Sequence, residues 1–135
     1  MSNFRKLRVW EKAYDLAVCT YQIATAMRRS LDLALRNQMV RAANSIPANI
    51  AEGRRQASER EFARFIGIAI NSAFELEHHV TIAAAIGAIS EADCTALIND
   101  TTEVRKMLYG LLRRIRERLE DEAKDDDNKT QPPIR

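Results

Sequence analysis

The apolar residues between positions 62 and 83 constrain the fold most tightly. Phe62, Phe65, Ile66, Ala69, Ala73, Leu76, Val80 and Ala83 recur at steps of three and four. Sustained over about six turns, that spacing lines up one face of an α-helix and no face of a strand. Leu7, Trp10, Tyr14, Ala17, Tyr21 and Ala24 make a similar stripe over residues 4–27, and Val9, Ala13, Leu16, Ile23 and Met27 make a second beside it. A helix this broadly apolar has more to bury than one bundle seam requires. A last stripe holds Cys94, Leu97, Thr101, Val104, Leu108, Leu111, Ile115 and Leu119.

Punctuation between these stripes is sparse, with four glycines and three prolines in 135 residues, two of the prolines among the last four. Ser30 or Asp32 can cap a second helix, which is expected to run to Glu52 and stop at Gly53, the residue that favours a helix C-terminus. Pro47 falls inside that helix. It removes one backbone donor and crowds the Ala43 carbonyl, so a kink is expected there and not a break. Ser58-x-x-Glu61 is a capping box that opens the third helix, and Gly87 ends it. Ser90-x-x-Asp93 opens the fourth in the same way with a shorter acid. No strand signal and no internal repeat is present. The expected fold is all-α: an antiparallel up-down-up-down four-helix bundle over residues 1–119, followed by an acidic, disordered tail over residues 120–135 that is too polar to pack.

With 46% hydrophobic and 30% charged residues the composition is that of an ordinary globular domain. The basic start has no apolar run behind it, so no signal peptide is read there. The apolar stretch over residues 80–89 is about half the length of a membrane span, and no membrane partner is expected. Cys19 and Cys94 stand in no metal-type spacing and read as reduced thiols of a cytoplasmic protein.

Little in the chain suggests chemistry. Glu75-Leu76-Glu77-His78-His79 contains the Glu-x-x-His spacing of di-iron bundles, but those sites need a second copy of it, and this chain has two adjacent histidines only. No metal is expected, and His78 and His79 are placed at the bundle surface or a subunit contact. Glu75 falls level with Arg36 and within reach of Arg41, which implies a partly buried ion pair. Asn44, Ser45 and Asn49 cluster about Pro47. No histidine lies near Ser45 to make it a nucleophile, so these side chains are expected to satisfy backbone groups freed at the proline. No phosphate-cradling loop or nucleophile elbow occurs; no catalytic residue and no cofactor are expected.

The charge is more informative. Residues 1–119 carry 18 basic and 13 acidic side chains, a balance of +5; residues 120–135 carry 3 and 6, a balance of −3. In the expected topology Arg5, Lys6, Arg8 and Lys12, then Arg54 and Arg55 with Arg60, then Arg113, Arg114, Arg116 and Arg118 all gather at one end. Such an end attracts a phosphate backbone without reading sequence. The same residues also complement helix dipoles, and Glu11, Glu59, Glu61 and Glu117 dilute the patch. The acidic tail leaves from this end too, either as a competitor for the arginines or as a solubilising segment.

The run Gln38-Met39-Val40-Arg41-Ala42-Ala43-Asn44-Ser45-Ile46-Pro47-Ala48-Asn49-Ile50-Ala51-Glu52-Gly53 resembles the signature of the four-helix-bundle family of 23S ribosomal RNA intervening-sequence proteins. Leu7-x-Val9-Trp10, Glu61-Phe62-x-x-Phe65-Ile66 and Met107-Leu108 support the likeness, which covers roughly residues 4–116. The chain departs from the family pattern at Met27-Arg28-Arg29-Ser30, where an aromatic-Pro pair is usual, and at Asn71, where glycine is usual. The resemblance marks Ser45, Pro47, Asn49, Glu52, Gly53 and Glu75 as structural positions. It implies a cyclic homo-oligomer, a pentamer. It also implies kinship with accessory variability proteins of diversity-generating retroelements, which bind nucleic acid and a reverse transcriptase. Two functions follow as expectations. One is a non-enzymatic protein that binds RNA or DNA through the basic end, with a role as accessory to a nucleic-acid enzyme. The other is a protein-binding scaffold with no nucleic-acid role.

Overall fold

The computed structural model describes residues 4–134 and, at Lys6, the backbone alone. Among these residues there are four α-helices and no strand: α1 (Arg8–Ala24), α2 (Leu33–Arg54), α3 (Glu59–Ala85) and α4 (Glu91–Thr130). Single 3-10 turns, Phe4–Lys6 and Ser30–Asp32, precede α1 and α2. Each helix packs on two neighbours, α1 and α3 both lying against α2 and α4, with no close backbone approach across either diagonal among the described residues.

The core is a closed layer of aliphatic side chains. Leu16, Met39, Ile46, Ile50, Ile66, Leu76, Val80, Leu97, Leu108 and Ile115 are all buried. Thr20 and Thr101 also lie inside, each donating its hydroxyl to the carbonyl four residues back, Leu16 at 2.7 Å and Leu97 at 2.6 Å. On α1 the second of the two stripes faces inward, joined by Ala17 and Ala24 of the first. Val9, Ala13 and Leu16 are buried, whereas Tyr14 and Tyr21 of the first stripe are 50% and 59% exposed. Trp10 stacks on Tyr14 at 5.3 Å and meets Phe4 edge-on at 5.2 Å, so these aromatic rings pack on one another at the edge of the core, which half-buried Trp10 also touches.

The helix ends show which local signals act. Ser58 and Ser90 cap α3 and α4, their hydroxyls accepting from the amides of Glu61 and Asp93 at 3.1 Å. Gly87 takes φ +74°, and the amides of Gly87 and Ala88 return to the carbonyls of Ala84 and Ala83, which closes α3 in a Schellman motif. Asp32 does not cap α2; it is buried and takes Arg29 Nε at 2.6 Å instead.

Gly53 does not stop α2 either. The helix continues to Arg54, and the glycine is needed for closeness: a Cβ there would stand 2.7 Å from Phe65 Cβ and 3.0 Å from Phe62 Cδ1. Pro47 stands within α2 without ending it. Around it Asn49 Nδ2 donates to the Ser45 carbonyl at 2.7 Å and to Ser45 Oγ at 2.9 Å, and Ser45 Oγ meets Ser72 Oγ across the α2–α3 seam at 2.7 Å. These bonds hold Ser45, two residues beyond the Ala43 carbonyl that the proline leaves without its helical donor. The cluster pins two helices together and does not repair the proline site.

The disordered tail expected from residue 120 is replaced by helix. α4 continues through Thr130, and every described residue from Glu120 to Ile134 is exposed. Glu120 stands four residues before Lys124 and Asp125 four before Lys129, the order of charge that supports an isolated helix. These eleven residues add about 16 Å of rod beyond the bundle.

Candidate nucleic-acid interface

The helix registers gather the basic residues. Arg118 Nη2 donates to Glu59 Oε2 at 3.1 Å, which sets the end of the α4 stripe beside the start of α3. Arg54 at the end of α2 lays its guanidinium over the Phe62 ring of α3, 5.4 Å from its centre. The Phe4–Lys6 turn touches both α1 and α2. The α1 start, the α2 end, the α3 start and residues 113–118 of α4 therefore share one end of the molecule.

Within that end the cations divide. Lys12 is held by Glu103 at 2.5 Å, Arg55 lies 3.8 Å from Glu52, and Arg118 is held by Glu59. Arg54 is half-buried, and its Nε is sequestered without a hydrogen bond. Arg5 is exposed, with its guanidinium over the Phe4 ring at 5.5 Å; the Lys6 side chain lies outside the described residues. Arg8, Arg60, Arg113, Arg114 and Arg116 are exposed and make no ion pair among the described residues. Phosphate would meet these five first.

Glu103 escaped the sequence reading because its pairing depends on the α1–α4 register. Its carboxyl is held below the usual glutamate range, first by the hydrogen bond from Lys12, then by the charge of Lys12, with a smaller contribution from Arg8. A shallow depression on α4 lined by Lys106, Tyr109, Arg113, Arg116, Glu117 and Glu120 places two acids beside two of the free arginines. The rod beyond Leu119 leads the acids of residues 120–127 straight off this end, where a rigid helix limits their return onto the arginines.

The other candidates resolve differently. Glu75 is exposed and the side chain it approaches is His79, with Nε2 at 3.6 Å, not an arginine; Arg41 merely lines the same depression. One helical turn brings Glu75 to His79, whereas Arg41 must reach across the seam. His79 is buried and its Nε2 makes no hydrogen bond, while His78 remains outside, edge-on to it at 5.5 Å. Among the described residues no three His, Cys, Asp or Glu side chains gather where a metal ion could sit, and no helix is long and apolar enough to cross a membrane. Burial, then the charges of Asp100 and Asp93, push the Cys19 thiol above its usual range, which disfavours a nucleophilic thiolate.

The sequence profile of the 23S rRNA-intervening sequence proteins matches residues 5–110. The crystal structure of a protein of unknown function from the S23 ribosomal protein family of Bacteroides thetaiotaomicron is similar at 25% identity, with a TM-score of 0.73. That similarity covers 77% of this chain and 97% of that chain. No curated protein matches the sequence. Arg113, Arg114, Arg116, Arg118 and the acidic rod lie beyond the span that the family profile matches.

Proposed function

The chain belongs to the family of 23S rRNA-intervening sequence proteins, and from that premise we propose a non-enzymatic, cytoplasmic, self-associating bundle that binds the backbone of RNA or DNA. The observation that carries this reading is the set of five exposed arginines, Arg8, Arg60, Arg113, Arg114 and Arg116, at one end without ion pairs among the described residues. Cations already matched by acids gain little from phosphate; unmatched ones release counterions when they meet it.

The helices are antiparallel in this reading, up-down-up-down. Gly53 faces Phe62 and Phe65 while Ser45 faces Ser72, and Glu59 meets Arg118 while Glu77 meets Arg105, so residue numbers fall on one helix as they rise on its neighbour. The subunits form a closed ring, a pentamer as the family likeness suggests. Each copy presents its basic end on the same side, and the ring can serve as accessory to a nucleic-acid enzyme. Titrating generic single-stranded RNA against salt tests the proposal. Five phosphate contacts give a slope of log K on log salt of about −3.5. No binding at low salt would overturn it.

The second reading, a protein-binding scaffold, draws support from Phe74, Ile82, Ile86 and Tyr109, which are 41–49% exposed. Absent RNA binding at low salt would favour it.

A further inference from the structure

The α1–α2 side of the bundle holds a groove of about 580 Å³ that uses none of the basic-end residues. Tyr21 forms one wall, and Arg36, Asn37, Val40, Arg41 and Asn44 form the other. Its volume is that of a small-ligand site, and no acid lines it. Arg36 donates Nη1 to the Met27 carbonyl at 3.4 Å, which leaves the other donors of its guanidinium fork for a ligand. Neither Arg36 nor Arg41 makes an ion pair among the described residues. The nearby acid Glu75 lines a separate depression on the far side of Arg41 and makes no ion pair with it. Five residues of helix separate the two arginines by a rise of about 7.5 Å, within the reach of two such side chains.

These groups offer three kinds of recognition at once. Guanidinium forks match phosphate oxygens. An exposed tyrosine ring gives a face on which any base can stack. Asn37 and Asn44, seven residues apart and so on one helix face, offer carboxamides that both donate and accept at a base edge. We infer that this groove binds one nucleotide unit, its phosphate on Arg36 and Arg41 and its base against Tyr21. The unit can be a free nucleotide or one residue of an RNA strand. The inference stands apart from the basic end, and separate substitutions test the two.

The test is calorimetric titration of the full chain with AMP and with a ten-nucleotide oligoadenylate. Tyr21→Ala and Arg41→Gln are each expected to weaken binding about tenfold, with Tyr21→Phe restoring it. Both sites are exposed, so circular dichroism should show the fold retained. Arg113→Gln with Arg116→Gln should weaken the oligonucleotide but leave AMP unchanged. AMP binding lost in the groove variants supports a free nucleotide as ligand. Oligonucleotide binding lost in them, without AMP binding, supports a strand. No saturable binding of either probe, or affinities equal across wild type, Tyr21→Ala and Arg41→Gln, overturns the inference; oligonucleotide binding lost only with the α4 arginines does so while leaving the basic end in place.

Discussion

Gly53 and Gly67 are both helical, yet opposite responses to alanine are expected. At Gly53 the added methyl meets Phe65 Cβ at 2.7 Å, an atom fixed to its backbone that cannot swing away. Overpacking of this kind costs about 1–3 kcal/mol, more than the helix propensity gained. At Gly67 nothing lies within 4 Å, and alanine should stabilise by up to about 1 kcal/mol. Thermal melts of the two variants, moving in opposite directions, check both. The contrast also shows what can be read at this scale. Ser58, Ser90 and Gly87 were legible because each acts within a few residues of itself. Gly53, read from its neighbours as a stop, owes its role to two phenylalanines on another helix, and no local pattern carries that. Cys19 adds a pH-dependent case. Its raised pKa leaves less thiolate than an unhindered thiol at the same pH, so alkylation near pH 8 should be slower folded than unfolded. The stability held by the neutral thiol is present below its unfolded pKa and is lost as pH rises through the folded one.

Between elements, the Lys12–Glu103 pair is a polar tie from α1 to α4. Because the folded pKa of Glu103 lies below its ordinary value, the tie is intact above the unfolded pKa and is lost as pH falls through the folded one. A carbon-detected titration should find the Glu103 midpoint below that of a free glutamate, and Lys12→Met should raise it. An unmoved midpoint would mean that Lys12 is not the cause. The two stripes of α1 show where element-scale reading stops. Both repeat at helical spacing, and only the placement of α2 and α4 decides that Val9, Ala13 and Leu16 go inside while Tyr14 and Tyr21 stay out. Composition misread the α4 rod for a related reason, since charge excludes a segment from the core without excluding it from a helix. Deleting residues 120–135 should remove helical signal while leaving the melting temperature of the bundle nearly unchanged. It should also tighten RNA binding at low salt, where the rod's six acids repel phosphate least screened.

At the scale of the whole molecule the exposed apolar residues and the exposed arginines answer to one arrangement. Tyr14 and Val18 stand on the outside of α1, and Phe74 and Ile82 on the outside of α3, 40–50% exposed. These helices lie diagonally across the bundle from each other, so the two faces point apart. A two-fold dimer covers one face twice and leaves the other bare, whereas head-to-tail association covers both, and a rotation between successive copies closes it into the proposed ring. Replacing Phe74 and Ile82 with serine should therefore shift the mass seen by light scattering down to the 15.3 kDa of one chain, with helical content kept. The same substitutions touch none of the arginines at the basic end, yet RNA binding should fall on the order of a hundredfold, because linked ends engage one strand at high effective concentration and single ends do not. Residual binding by the single chain should remain salt-dependent with the slope of about −3.5 set by one end's five phosphate contacts, shallower than that of the ring. A variant that is monomeric but binds RNA as tightly as wild type would separate assembly from nucleic-acid binding and remove the reason for a ring. A wild-type mass of one chain at micromolar concentration would remove the ring itself.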